Sequence, residues 1–189
     1  MQNPSVTGGF LDAARDSAIA FRAALDAMAR PGKISEVSGA VPPAPLSVAA
    51  GTLLLTLCDP ETPVWLGGAF ANDAVVAWLR FHTGASVVSN RKEAMFALGT
   101  WVDLFPIHDF PIGTPEYPDR SATLIVERKT LDAAGITLTG PGIKTTAALS
   151  LPDVKAFQQN AGLFPLGLDF FFTSGSRVAA LPRTTKLES

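Results

Sequence analysis

Residues 169–181 have the sequence DFFFTSGSRVAAL, and this stretch decides what kind of sheet the protein contains. Two runs of strand-forming residues, 169–173 and 177–181, flank the turn Ser174-Gly175-Ser176. Two such runs joined by a short turn with glycine are typical of a β-hairpin, whose strands are antiparallel. The sequence therefore predicts a sheet that is at least partly antiparallel.

Further short β-type runs lie upstream of this hairpin. They occupy residues 63–66, 94–98, 123–127 and 136–139. Residues 105–119 contain four prolines, which suit neither a helix interior nor a central strand. We therefore expect several strands and, between two of them, a long ordered loop.

The amino-terminal part of the chain predicts an amphipathic helix that ends at Arg30, before Pro31 and Gly32. Its apolar residues recur at steps of three and four and so share one face of the helix. They are Leu11, Ala14, Ala18, Phe21, Leu25 and Met28. The outer face is expected to carry the charged residues Arg15, Arg22, Asp26 and Arg30.

Three more helices follow from similar signals. Pro45 suits the first position of a mostly buried helix that runs to Asp59. Asn72 or Asp73 is the expected N-cap of a helix that stops at Gly84, and residues 153–160 form a shorter one. Together with the strands, these helices predict one domain, residues 1–189, with a mixed α/β fold: a partly antiparallel sheet with flanking helices.

The composition argues for protein partners and against nucleic acid. Fifteen basic and seventeen acidic residues leave a formal net charge of −2, without the excess of positive charge that nucleic-acid binding needs. Only 17% of the residues are charged, where an average domain has about 25%. A charge-poor surface leaves room for interfaces.

Several classes of protein are excluded at this stage. The single cysteine, Cys58, rules out an internal disulfide, and with two histidines a closed Cys/His zinc site cannot form. The longest uncharged run, residues 37–58, contains three prolines and does not suit a membrane span. The first 17 residues lack the features of a signal peptide, so we expect a cytoplasmic protein.

Catalytic motifs are not evident, but two clusters suit an anionic ligand or partner. The stretch GPGIKTT at residues 140–146 has the wrong spacing for a phosphate-binding loop and predicts a tight turn. Arg80, His82 and Thr83 lie at a helix end, and Arg183, Thr184 and Thr185 follow the last predicted strand. Arginine forks match phosphate or carboxylate oxygens, and the hydroxyls add further donors.

Each cluster also has a structural explanation. Arg80 and His82 suit the last turn of a helix because of the helix dipole, and Arg183 suits an ion pair after a strand. Asp169 opens an apolar strand, where it could cap that strand or hold Arg80 or Arg183 in place. If both clusters form one site, we expect Arg80, His82 and Arg183 to converge beside the sheet, with Asp169 orienting one arginine.

Six stretches, taken in order, resemble one known family. They are FRAALDAMARPG at 21–32, LLTLCDPETPVWL at 54–66, LRFHT at 79–83, GPGI at 140–143, FPLGLD at 164–169 and LPRTT at 181–185. The family is PhnH, the H subunit of the bacterial carbon–phosphorus lyase system for phosphonate breakdown. The resemblance covers nearly the whole chain.

This resemblance implies a homodimer with the fold of the large domain of pyridoxal-phosphate-dependent aminotransferases, but without that cofactor. It also implies membership of a core complex with the G, I, L and J subunits. With G, I and L, the subunit is needed to transfer the ribose triphosphate of ATP to an alkylphosphonate, with release of adenine. The catalytic residues are expected on another subunit, although a phosphonate or an ATP-derived anion could contact this one.

Two alternatives remain open. One is a stand-alone pyridoxal-phosphate transferase, whose Schiff base would need one of six lysines. These are Lys33, Lys92, Lys129, Lys144, Lys155 and Lys186. The other is a binding domain for an anionic metabolite.

Overall fold

The computed structural model describes residues 7–188 and contains two β-sheets with helices packed on both sides of the larger one. The helices are α1 (Ala13–Ala29), α2 (Val48–Leu57), α3 (Asp73–Thr83), α4 (Trp101–Leu104) and α5 (Val154–Ala161). The strands are β1 (Ser35–Glu36), β2 (Val64–Leu66), β3 (Val87–Val88), β4 (Phe96–Gly99), β5 (Thr123–Glu127), β6 (Ile136–Thr139), β7 (Ala147–Leu149), β8 (Asp169–Ser174), β9 (Arg177–Leu181) and β10 (Lys186–Glu188).

The larger sheet has seven strands in the order β1-β9-β8-β5-β4-β2-β3. Strands β3, β2, β4, β5 and β8 run parallel, whereas β9 is antiparallel to β8 and β1 is antiparallel to β9. The predicted hairpin is therefore confirmed, and it turns a parallel sheet into a mixed one. The sequence did not predict the two-residue strands β1 and β3, which are too short to leave a pattern.

Alternating side chains on the central strands build a core on each side of this sheet. In β8, Phe171 packs toward α1, α2 and α3, while Phe170 and Phe172 pack on the opposite side. Strand β5 divides in the same way, with Ile125 on the first side and Leu124 on the second. Both faces are covered, which explains why these strands are apolar at nearly every position.

A second sheet of three antiparallel strands, in the order β10-β6-β7, was not anticipated from the sequence. Residues 136–139 form a strand as predicted, but it belongs to this smaller sheet. Leu138, Leu149 and Leu187 contribute its apolar face to the core that contains Phe170 and Phe172. Pairing between β6 and β10 joins segments almost 50 residues apart, which no local pattern reveals.

The prediction for the start of α2 was wrong. Pro45 lies before the helix, and Ser47 is the N-cap, with its Oγ accepting a hydrogen bond from the backbone N–H of Ala50 at 3.1 Å. A serine there satisfies a backbone donor that no residue within the helix can pair. For α3, the Asn72 N-cap and the left-handed Gly84 at the end are confirmed, and Asp153 caps α5.

Helix α1 ends where predicted, but the prediction of its inward side was wrong. Its buried residues are Ala20, Ala24 and Ala27, whereas Phe21 and Leu25 are exposed. Alanines allow the helix axis to lie close to α2 and β9, and a bulky side chain on that face would hold it away. Phe21 and Leu25 therefore remain on the outside, whereas Met28 is partly buried and packs against the core as predicted.

The proline-rich stretch 105–119 is mostly irregular, as predicted, with one short 3₁₀ turn at Ile107–Asp109. The Arg91 guanidinium ties the end of α4 to the start of this stretch by donating to the carbonyl oxygens of Asp103, Leu104 and Pro106. Arg91 also lies 4.7 Å from the ring centroid of Trp65. Within residues 7–188, no helix has both the length and the apolar character that crossing a membrane requires.

Candidate functional site

The sequence-predicted residues Asp169 and Thr184 line a groove of about 490 Å³ at the edge where the parallel strands begin. Thr123 at the start of β5 and Phe96 at the start of β4 lie in the same groove. Its remaining walls come from α1 and from the turns that contain Pro141 and Pro182. The groove is therefore largely apolar, with one carboxylate and two hydroxyls.

Hairpin register brings Asp169 and Arg183 together. Because β8 and β9 are antiparallel with Phe170 opposite Leu181, the first residue of β8 lies beside the residues that follow β9. Arg183 donates from Nη2 to Asp169 Oδ2 at 2.6 Å and from Nε to Oδ1 at 3.2 Å. The Arg183 backbone N–H also donates to Oδ1 at 2.9 Å. The pair is thus bidentate and further tied to the main chain.

The rest of the Arg183 guanidinium is engaged within the chain. Nη1 donates to the carbonyl oxygens of Pro118 at 2.9 Å and Pro165 at 3.4 Å, and Nη2 donates to Ser121 Oγ. An arginine side chain has five N–H donors. These three contacts, together with the two that the side chain makes with the Asp169 carboxylate, use all five. With only 11% of its side chain exposed, Arg183 clamps three loops to the start of β8.

The two threonines after Arg183 differ in their surroundings. Thr184 is half-buried on the groove wall. Thr185 is buried, and its Oγ1 has no hydrogen-bond partner among residues 7–188. Its backbone N–H closes the turn by donating to the carbonyl oxygen of Pro182 at 3.0 Å.

The other predicted cluster lies at the end of α3. The His82 ring contacts Trp78 and Phe81 edge-on, with Nε2 at 3.4 Å from the carbonyl oxygen of Thr7. Thr83 donates to the carbonyl oxygen of Leu79 and accepts from the backbone N–H of Ala85, so it caps the helix. Arg80 is exposed.

The two clusters lie at different places along one edge of the sheet. Helix α3 connects β2 to β3, so its end lies at the same sheet edge as Asp169, but β3, into which it leads, is four strand spacings from β8 in the sheet order. At about 4.8 Å a spacing, this amounts to about 19 Å between the two strands.

Sequence reasoning missed Glu127, which lies at the opposite edge, where the parallel strands end. Its Oε2 accepts hydrogen bonds from Ser47 Oγ at 2.8 Å and Thr173 Oγ1 at 2.9 Å. Burial raises the pKa of the Glu127 carboxyl, and the hydrogen bonds from Ser47 and Thr173 oppose that rise only in part. A lone carboxylate that ends an apolar strand is the signal that could have identified it.

Two further kinds of reactive group were considered among the described residues: the cysteine thiol and clusters of metal ligands. Burial raises the pKa of the Cys58 thiol to about 12, which keeps it un-ionised and unreactive. No three His, Cys, Asp or Glu side chains in residues 7–188 are grouped so that they could hold a metal ion. The groove beside Asp169, with one carboxylate held by Arg183 and two threonine hydroxyls among apolar side chains, can bind and position a ligand.

Comparison with known proteins places these features in a family. The family described as bacterial phosphonate metabolism protein (PhnH) matches residues 8–188. The alpha-D-ribose 1-methylphosphonate 5-triphosphate synthase subunit PhnH of Rhizobium meliloti (strain 1021) is 42% identical over 195 residues, which cover 99% of this chain and 98% of that protein. HtxG of Stutzerimonas stutzeri, named as a candidate C-P lyase subunit, is 33% identical over 82 residues, which cover 40% of this chain and 42% of HtxG. The resemblance found in the sequence is thereby confirmed, and the chain belongs to the PhnH family of bacterial phosphonate metabolism proteins.

Proposed function

We propose that this chain is a subunit of an alpha-D-ribose 1-methylphosphonate 5-triphosphate synthase in phosphonate catabolism. The observation that carries the proposal is the 42% identity with the Rhizobium meliloti subunit along nearly the full length of both chains. The chain works with G, I and L subunits, and with J in the core complex. Together they transfer the ribose triphosphate of ATP to an alkylphosphonate and release adenine.

In this assembly, the chain supports catalysis without supplying the reacting groups. All five donors of Arg183 are engaged within the chain, and Thr83 caps α3, so two of the sequence-predicted ligand residues already have internal roles. The seven-stranded sheet is parallel except for β9 and β1, which supports the proposed similarity in fold to the large domain of pyridoxal-phosphate-dependent aminotransferases. Among the described residues, no lysine lines the groove beside Asp169, which favours a subunit over a pyridoxal-phosphate enzyme.

The contact with an anion or a partner is assigned to the exposed members of the two clusters. Arg80 is exposed at the end of α3, and Thr184 lies on the groove wall beside Asp169. His82 packs against Trp78 and Phe81 in the last turns of α3, and Thr185 is buried in the turn after β9. The two clusters then act as separate contacts along one edge of the sheet.

Reconstitution tests the proposed function directly. The remaining subunits are purified with and without this chain and supplied with ATP and methylphosphonate, and adenine and the triphosphate product are measured. We expect both products to depend on the chain, and its deletion to abolish growth on methylphosphonate as sole phosphorus source. Growth on phosphate should be unaffected. Full product formation without the chain, or normal growth of the deletion strain, would contradict the proposal.

A second candidate function, the binding of an anionic metabolite, is favoured by a different groove. Arg30, Lys33 and Lys144 line a space of about 360 Å³, where the turn at Gly142 faces Gly32. Asp26 pairs with Arg30 at 3.0 Å and with Lys33 at 2.5 Å, which leaves part of the positive charge uncompensated. A thermal shift with triphosphate or methylphosphonate that is lost in Lys144→Ala would support this function.

A further inference from the structure

A second cavity, of about 410 Å³, lies between α5 and the proline-rich stretch 105–119, on the side of the large sheet opposite α1. We call it the α5 pocket. Pockets that bind small molecules have volumes of about 300–1,000 Å³, so the α5 pocket is large enough for one. It is separate from the groove beside Asp169, with which it shares no lining residue among those described.

Hydrogen bonds between neighbouring segments hold the walls of the α5 pocket in place. The Asn160 side chain donates from Nδ2 to the carbonyl oxygen of Leu168 and accepts at Oδ1 from the Leu168 backbone N–H, both at 2.8 Å. The backbone N–H of Gly167 donates to the carbonyl oxygen of Ile112 at 3.0 Å, which fixes the opposite wall. The pocket is therefore preformed, and a ligand does not have to order these segments in order to bind.

The lining of the α5 pocket suits a flat, uncharged ligand. Phe105, Ile107 and Ile112 belong to one wall, and Ala156 and Leu163 to the other. Phe105 is 50% exposed, which leaves ring surface on which a planar ligand can stack. Among the described residues that line the pocket, none is Lys, Arg, Asp or Glu, so the lining favours a neutral ring over a phosphate or a phosphonate.

Gln159 supplies the polar group that orients such a ligand. Within residues 7–188, the Gln159 amide makes no hydrogen bond, whereas Gln158 donates from Nε2 to the carbonyl oxygen of Leu187 at 3.2 Å. A glutamine amide offers a donor and an acceptor side by side, and it pairs in this way with N6 and N7 of adenine. Guanine presents two acceptors, O6 and N7, on the same edge and is matched by arginine instead. The free amide of Gln159 therefore favours adenine.

We propose that the α5 pocket binds an adenine ring, which stacks on Phe105 and pairs through N6 and N7 with the Gln159 amide. The source of this ligand rests on the proposed function, because that reaction consumes ATP and releases adenine. His108 is 82% exposed at the rim of the pocket, so the triphosphate of ATP extends past it into solvent or toward another subunit. The chain holds the base, while the reacting atoms lie elsewhere in the complex.

Titration of the isolated chain with adenine, followed by NMR of the glutamine side-chain amides, tests the site. Adenine should shift the Gln159 signal, which Gln159→Leu identifies by its disappearance, and leave the Gln158 signal unchanged. Gln159→Leu should weaken adenine binding at least about fivefold, the effect of losing one hydrogen bond of average strength. Gln158→Leu is the matched control and should bind adenine like the wild type, and circular dichroism should show the same folded spectrum for both variants. No shift at millimolar adenine, or equal binding by Gln159→Leu and the wild type, overturns the proposal.

A comparison of ligands on the wild-type chain tests the same pairing without any variant. Purine lacks the 6-amino group and should bind at least about fivefold more weakly than adenine. Purine that binds as tightly as adenine contradicts the pairing with Gln159. ATP that binds as tightly as adenine identifies a site for the base of the substrate, and binding of adenine alone identifies a site for the released product.

These measurements separate the α5 pocket from the proposed function, because they need no other subunit. A chain that is required for synthesis but does not bind adenine refutes only the adenine site. A chain that binds adenine but is not required for synthesis refutes only the synthase role.

Discussion

At the scale of single residues, Arg183 is a predicted ligand residue whose guanidinium has a structural role in the fold. Its guanidinium joins Asp169, Pro118, Ser121 and Pro165, and 11% of the side chain is exposed. Arg183→Ala leaves the Asp169 carboxylate without its partner, which should lower the free energy of unfolding by about 3 to 5 kcal/mol. Arg183→Lys should recover only part of this, because lysine cannot reproduce the bidentate contact.

Chemical denaturation measures these differences, with Arg80→Ala as the matched control. Arg80 is exposed, so its removal should change the free energy of unfolding by no more than about 0.5 kcal/mol. If Arg183→Ala lowers the free energy of unfolding no more than Arg80→Ala does, the hydrogen bonds of Arg183 do not stabilise the fold. Arg183 would then again be a candidate for contact with a ligand.

The buried carboxyl of Glu127 leads to a prediction about how the stability of the fold depends on pH. Burial raises its pKa above the ordinary value of 4.5, so folding favours the protonated carboxyl. This contribution is complete below pH 4.5 and is lost as the pH rises through the pKa of the folded state. Glu127→Gln keeps an acceptor for Ser47 and Thr173 without the charge, so its stability relative to the wild type should increase from pH 4 to pH 7.

Thermal unfolding at several pH values compares the two proteins, with the exposed Glu116→Gln as control. The control should show a constant difference from the wild type across this range. A constant difference for Glu127→Gln as well would mean that the buried carboxyl does not titrate abnormally.

At the scale of elements, the turn after β6 is held against the end of α1 by a glycine. Gly142 has a φ of +81°, and a Cβ there would lie 1.9 Å from the carbonyl oxygen of Ala29. Gly175, in the β8–β9 turn, has a φ of +61° with nothing within 4 Å of such a Cβ. Both alanine variants incur the cost of the left-handed conformation, about 1 to 2 kcal/mol.

Gly142→Ala should therefore be more destabilising than Gly175→Ala, because only the first also separates the turn from α1. Denaturant titration of both variants gives the comparison. Equal losses would show that the turn can move away from Ala29 without cost.

At the scale of the whole molecule, the two sheets share one core, in which Leu138 and Leu187 of the small sheet join Phe170 and Phe172 of the large one. We therefore predict that residues 1–189 unfold as a single cooperative unit. Fluorescence of the tryptophans, which lie in β2, α3 and α4, should follow the same transition as far-ultraviolet circular dichroism. Two separate transitions would show that the small sheet is an independent unit.

Much of the secondary structure follows from the sequence alone, because its signals are local. The β8–β9 hairpin, the Asn72 cap and the Gly84 stop each depend on a few neighbouring residues whose conformational preferences act wherever the segment lies. Strand β5 has the bounds that were predicted for it, Thr123–Glu127. The hairpin also implies that Asp169 and Arg183 meet, since register places a strand's start beside its partner's end.

Only the tertiary structure decided which surfaces these elements use. A period of three to four residues predicts that Phe21 and Leu25 share a face of α1, but it does not indicate whether the core or another molecule covers that face. The alanine face of α1 packs against the core, because close packing against α2 and β9 favours small side chains. The separation of Arg80 from Arg183 and the pairing of β6 with β10 likewise depend on strand order, which is set by contacts between distant parts of the chain.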